Sequence, residues 1–181
     1  MGKRSSFERR PQDAYATPAE AVKPLLPHLR PRTRYSEPCC GDGALIGHLE
    51  DAGHLCNFWC DIAPPPEGEW SRQMDALALE SCIGECWITN PPWRRDMLHP
   101  LITHLSSLAP AWLLMDAEWM NTKQAVPFLP WCHRPRALDP RHIHVEQGLV
   151  LLIPLRPDYA EAYVRAHILR QGVMTTHPFA V

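Results

Sequence analysis

Apolar and polar positions change period several times along the chain, and the changes mark out alternating strands and helices. Residues Thr33 to Glu37 alternate as an extended segment, and Pro38 to Gly43 carries turn residues. Ala44 to Ala52 repeats with a helical period, and Gly53 closes it. A second strand is predicted over His54 to Asp61, followed by a proline-rich loop at Pro64, Pro65 and Pro66. A weak helix near Ala76 to Ser81 precedes a third strand, Glu85 to Thr89, which runs into Asn90-Pro91-Pro92-Trp93. Asp96 to Leu108 is helical in period, Ala111 to Met115 and Gly148 to Pro154 are strands, and Asp158 to Gln171 forms an amphipathic helix. Upstream, Thr17-Pro18-Ala19-Glu20 has the form of a capping box, and Pro24 and Pro27 should keep the helix it starts short or bent. Strands alternating with helices predict an α/β fold with a doubly wound, mostly parallel sheet. In such sheets ligands lie beyond the carboxyl ends of the strands, which directs attention to residues 37–43, Asp61, Asp75 and residues 90–93.

At 181 residues the chain has the length of one domain, and 45% hydrophobic with 21% charged residues is the composition of a globular protein with a real core. The twenty prolines imply short elements and stiff loops. No apolar run reaches membrane-spanning length and no apolar leader follows the first residues, so a cytoplasmic protein without membrane attachment is expected. Seven cysteines in such a chain are expected to be free thiols. In a strand, Cys56 and Cys60 are too far apart to share a metal, and no metal site is predicted.

The net charge of −2 conceals an uneven distribution. Residues 1–34 hold eight basic and three acidic side chains, residues 35–87 one and ten, and residues 88–181 nine and seven. Residues 1–14 are expected to form a basic, flexible arm able to meet phosphates, and residues 15–181 a single domain.

Within Pro38-Cys39-Cys40-Gly41-Asp42-Gly43, Gly41 and Gly43 would let the backbone approach a ligand closely between strand and helix. Asp61, about twenty residues on, ends the second strand, where an acid can accept both hydrogen bonds of a ribose diol. Asp75 lies where it could take an adenine amino group, so the acids together describe an adenosine-containing cofactor. Asn90-Pro91-Pro92-Trp93 is the most specific feature. Its two prolines remove backbone donors, leaving carbonyls and the Asn90 oxygen as acceptors for an amino group, and Trp93 offers a stacking face for a planar base.

With these residues in view, the chain resembles S-adenosylmethionine-dependent DNA adenine-N6 methyltransferases, especially the small phage and prophage type, over roughly residues 13–120. The segment Tyr15-Ala16-Thr17-Pro18 resembles the part that closes over the methionine end of the cofactor. Glu37-Pro38-Cys39-Cys40-Gly41-Asp42-Gly43 resembles the cofactor loop, Asp61 the ribose acid and Asp75 the adenine acid. Ile88-Thr89-Asn90-Pro91-Pro92-Trp93 resembles the catalytic loop, with Trp93 where Tyr or Phe is commoner, and the motif order is similar to the gamma class. The resemblance implies a Rossmann-like class I methyltransferase fold, S-adenosyl-L-methionine as cofactor and DNA as partner. It also implies a monomer or homodimer in the cytoplasm of a bacterium or phage-infected cell. Cofactor contacts are expected from Tyr15, Thr17, Glu37, Cys39, Gly41, Gly43, Asp61, Asp75 and Asn90. The catalytic group is Asn90, Pro91, Pro92 and Trp93. There is no room for a separate target-recognition domain, and the stretch after Trp119 matches no part of the family pattern.

The resemblance implies acceptors at Asn90 and the Pro91 carbonyl that stabilise the charge developing on the adenine nitrogen. It also implies a base flipped from the duplex and stacked on Trp93. Arg94 and Arg95 are candidates for flanking phosphates. Arg134 and Arg136, within a basic, His-rich segment that also holds Arg141, His142 and His144, are candidates for reading sequence. Two other readings remain open: methylation of a protein glutamine amide or an RNA amino group, and a non-catalytic cofactor- or DNA-binding protein.

Overall fold

The computed structural model describes residues 16–65, 72–115, 119, 122–129 and 149–153. Its centre is a sheet of six strands: β1 (Arg34–Glu37), β2 (Leu55–Asp61), β3 (Arg72–Gln73), β4 (Cys86–Thr89), β5 (Ala111–Met115) and β6 (Leu149–Ile153). They lie in the order β3-β2-β1-β4-β5-β6, with the first five parallel and β6 antiparallel to β5. Among the described residues three α-helices accompany them: α1 (Ala19–Val22), α2 (Ala44–Asp51) and α3 (Arg95–Leu108). This is an α/β fold compatible with a Rossmann-like arrangement. Among the described residues, no helix is long and apolar enough to cross a membrane.

Alternation along β5 shows why both faces are covered. Trp112 and Leu114 pack with Tyr35, Ile88, α2 residues Leu45 and Leu49, and Ala21, Val22 and Leu25. Ala111, Leu113 and Met115 pack on the other side with α3 residues Leu98, Leu101, Ile102 and Leu105. Successive strand residues point to opposite faces, so an uninterrupted apolar strand needs a helical layer on each. Helix α3 is fastened further by two hydrogen bonds: the Trp87 indole donates to the Leu105 carbonyl at 3.1 Å, and His104 Nε2 meets the Leu79 carbonyl at 2.8 Å. Pro100 removes one backbone donor from α3, yet the helix continues through it because four large side chains beyond and before it are buried.

The strands fall close to the ranges expected from sequence, and the differences have local causes. The capping box at Thr17 does not form. The N-cap is Pro18, without a side-chain cap, and α1 is one turn long. A 3-10 turn at Leu26–His28 follows, in keeping with Pro24 and Pro27. The weak helix after Asp75 is a 3-10 turn, Ala76–Ala78. Strand β3 was not expected: two exposed residues carry no hydrophobic period and are defined by pairing to Cys60 and Asp61. In β2, the register against β1 slips between Tyr35 and Ser36, so Asn57 is an extra residue. The slip turns Cys56 toward the α2 side of the sheet and Phe58 and Cys60 toward the α3 side. The basic, His-rich segment at 133–144 and the helix expected from Asp158 to Gln171 lie outside the described residues.

One glycine away from the site has a steric role that composition does not signal. A Cβ on Gly84 would stand 2.8 Å from the Arg34 carbonyl oxygen and 3.0 Å from Tyr35 Cα, both backbone atoms of β1. The same loop is held by Ser36, whose hydroxyl donates to the Ile83 carbonyl and accepts from its amide, each at 3.1 Å. Gly84→Ala is therefore expected to lower unfolding free energy by about 1–3 kcal/mol. Urea denaturation of the purified variant measures it, and a change within about 0.5 kcal/mol would contradict the close approach.

Candidate functional site

Sheet order reverses between β1 and β4, because β1 leads through α2 to one side and β4 through α3 to the other. The loops leaving these neighbouring strands must part, and a crevice opens at their carboxyl ends. There the structure has a cavity of about 570 Å³. Its walls include Glu37 at the end of β1 with Cys39 and Gly41 after it, Asp61 at the end of β2, Asp75 before the 3-10 turn, Asn90 and Pro92 after β4, and Thr17 from the N-terminal side. Segments expected to act together, separated by up to 73 positions in sequence, thus converge on one space.

Gly41 and Gly43 both have positive φ, 50° and 81°, a region other residues enter at a cost. A Cβ at Gly41 would meet no protein atom within 4 Å, so conformation and the open space beside it, not packing, call for glycine. Three amides of the turn have acceptors within the protein. Gly41 N–H donates to Asp61 Oδ2 at 2.8 Å, Gly43 N–H to the Cys40 carbonyl at 2.8 Å, and Ala44 N–H to Asp42 Oδ1 at 3.1 Å. In a phosphate-binding turn, such amides face the anion. Here two of the three already face carboxylates.

Asp61 also accepts from the Ala63 amide through Oδ1 at 2.8 Å, so it shapes its own loop as well as the glycine turn. Asp75, an exposed residue, caps the 3-10 turn through Oδ1, which accepts from Leu77 N–H at 2.9 Å, while its other oxygen makes no hydrogen bond among the described residues. Exposed Ile62, directly after Asp61, and Leu77, two positions after Asp75, add apolar wall. Neither was anticipated, although for Ile62 an apolar residue directly after the acid that ends a strand is a signal available in sequence.

Glu37 is 1% exposed. One carboxyl oxygen receives the backbone N–H of Asn90, while Oε2 has no hydrogen-bond partner. Burial, with Asp61 and Asp42 nearby adding repulsion, holds its pKa well above the ordinary glutamate value. Burial likewise raises the Cys39 thiol, with Asp61 and Glu37 contributing, so Cys39 lines the cavity as a neutral thiol. The thiols of Cys56, Cys60 and Cys82 are pushed up to about 12, chiefly by burial, and are un-ionised at neutral pH. Among the described residues, no group of three or more His, Cys, Asp or Glu side chains could hold a metal ion.

The loop after β4 divides its residues. Asn90 and Pro92 line the cavity, and Pro91 is buried. Asn90 is anchored through its amide nitrogen, which donates to Thr17 Oγ1 at 3.1 Å. Trp93 is 43% exposed, and its indole N–H donates to the Leu114 carbonyl at the end of β5 at 3.3 Å. Arg94 is the N-cap of α3, and its guanidinium grips both Asp96 oxygens at 3.2 and 2.6 Å. Arg95 is exposed. Tyr15, Arg134 and Arg136 lie outside the described residues.

Charge is the property that motif reading missed. The described wall contains five carboxyl side chains, Glu37, Asp42, Asp61, Asp75 and Asp96, and no Lys, Arg or His. Asp42 lay within the loop expected at the site but was given no role of its own, and Asp96 was expected only as the start of a helix. The strongly acidic stretch over residues 35–87 was its trace in the sequence. No family model matches the chain, and no curated protein matches it.

Proposed function

We propose that this protein transfers a methyl group from S-adenosyl-L-methionine to the exocyclic N6 amino group of adenine in DNA, on a Rossmann-like methyltransferase fold. The observation that carries the proposal is the cavity at the strand-order reversal, walled by five carboxyl groups without a basic side chain and sharing that wall with Asn90 and Pro92. A nucleotide cofactor with a pyrophosphate would bring negative charge to carboxylates and to amides that already have acceptors. An adenosine compound bearing ammonium and sulfonium groups suits the same walls. Glu37 Oε2, buried without a partner, fits an ammonium N–H, while Asp61 and the free oxygen of Asp75 fit ribose hydroxyls and an adenine amino group.

The cofactor supplies a methyl group activated on a sulfonium centre. The protein's part is alignment and charge stabilisation. Asn90 Oδ1 and the Pro91 carbonyl accept from the adenine amino group and favour the positive charge that builds on its nitrogen. An adenine in a duplex is out of reach, so it is flipped, and half-exposed Trp93 receives it by stacking. The bond from its indole to Leu114 fixes the ring plane before the base arrives. Arg95, exposed beside this loop, meets a flanking phosphate, whereas Arg94 must first loosen its grip on Asp96.

The decisive experiment supplies isotopically labelled S-adenosylmethionine and unmethylated duplex DNA, then identifies the modified nucleosides by mass. Labelled N6-methyladenine is the expected product. Label appearing only in RNA or in protein glutamine would replace the substrate. Binding of the cofactor without transfer to any of the three would leave a binding protein.

A further inference from the structure

Asn90 is useful as an acceptor only if its side-chain amide presents oxygen, not nitrogen, to the incoming amino group. Rotation by half a turn about its last side-chain bond exchanges the two, and the shapes are nearly identical. We infer that Thr17 is the positioning residue that fixes this choice. The inference rests on the methyl-transfer reading of the site and goes beyond cofactor contact as the role of Thr17.

Three observations join. Asn90 Nδ2 donates to Thr17 Oγ1 at 3.1 Å, so the nitrogen end of the amide is claimed by the N-terminal segment. Among the described residues no bond to Asn90 Oδ1 is present, and the residue lines the cavity. Thr17 is itself held: it is 5% exposed, and its carbonyl meets His48 Nε2 on α2 at 3.1 Å. The Asn90 backbone is fixed independently by its N–H bond to Glu37. A chain of contacts therefore runs from α2 through Thr17 to the loop after β4, setting both the place and the orientation of one amide. It also accounts for the missing capping box, since the Thr17 hydroxyl that would have capped α1 is turned to Asn90.

The role separates from cofactor binding in its kinetics. Thr17→Val keeps the shape and removes the hydroxyl. It is expected to lower kcat with duplex DNA about tenfold, the value of one positioning hydrogen bond, and to weaken S-adenosylmethionine binding in titration calorimetry by clearly less than that, since Thr17 also lines the cavity. Thr17→Ser should recover most of the rate. A normal kcat in Thr17→Val overturns the inference, and so does a loss of donor affinity that matches the loss of rate. Selective 15N labelling of asparagine gives a second readout on the unaltered protein, because the chain holds only Asn57, Asn90 and Asn121. One Asn90 Nδ2 proton should exchange slowly with solvent, and fast exchange of both overturns the inference even if Thr17→Val fails to fold. Absence of transfer by the unaltered protein, with slow exchange intact, sinks the reading of the reaction and the inference together. Transfer by the unaltered protein with a normal Thr17→Val sinks the inference alone.

Discussion

Asn90→Ala is expected to reduce methyl transfer by about 10²- to 10³-fold, the effect of removing one preorganised group that stabilises transition-state charge. Cofactor affinity should change far less. The adenine nitrogen is a weak nucleophile because its lone pair is shared with the ring, and in the proposed reaction Asn90 Oδ1 would act on the charge that appears only as the nitrogen attacks. An interaction made chiefly in the transition state is lost from kcat, not from ground-state binding. The side chain is also peripheral to the hydrogen bonds of the glycine turn, which run among Cys40, Gly41, Gly43, Asp42, Asp61 and Ala44. Its backbone N–H, which reaches Glu37, remains in the alanine variant. Single-turnover measurement with labelled donor separates chemistry from product release. A variant that retains the wild-type single-turnover rate would remove Asn90 from the chemistry.

The parts legible in the sequence were those governed by short-range chemistry. Ala111 to Met115 was bounded correctly because it is a continuous apolar run with a proline before it. Helix α2 was bounded to within one residue because glycine stands at each end. Parallel order followed from alternation, and alternation placed residues 37–43, Asp61, Asp75 and residues 90–93 at one end of the sheet. The structure brings Glu37, Cys39, Gly41, Asp61, Asp75 and Asn90 to one cavity.

What was not legible depends on contacts across long sequence distances. Nothing near Thr17 announces that its hydroxyl will serve Asn90, and the local capping pattern points the other way. The slip at Asn57 is set by pairing with β1, and β3 by pairing with β2. Arg94 was a candidate for a flanking phosphate, but its guanidinium meets Asp96 two positions on, where the helix begins. Asp42 and Asp96 become wall residues only when the two loops face one another, and with them the cavity's uniform charge emerges.

That charge makes Glu37 the residue whose replacement should have two opposite effects. Its carboxyl is buried, is raised well above the usual 4.5, and has one oxygen without a partner. The sign follows from comparing folded and unfolded chains. Below about pH 4.5 both states carry the proton. As pH rises past that value the unfolded chain ionises first, so unfolding is increasingly favoured until the folded carboxyl ionises as well. Glu37 therefore costs stability at neutral pH and costs little in acid. Glu37→Gln removes the ionisation while preserving an oxygen for the Asn90 amide. It should be more stable than the wild type at pH 8 by about 1–3 kcal/mol, with the gap closing toward pH 4. Binding should move the other way: loss of a charged acceptor for an ammonium group is expected to weaken S-adenosylmethionine about 10- to 100-fold. In the wild type that affinity should strengthen as pH rises toward the folded pKa, because the cation favours the ionised carboxyl, and Glu37→Gln should abolish this dependence. Urea unfolding at the two pH values and calorimetric titration across the range measure both. A variant that gains stability yet binds the donor as tightly as wild type would show that the buried carboxyl faces no cation. One that loses stability at pH 8 would show that Glu37 is ionised and satisfied in the folded chain.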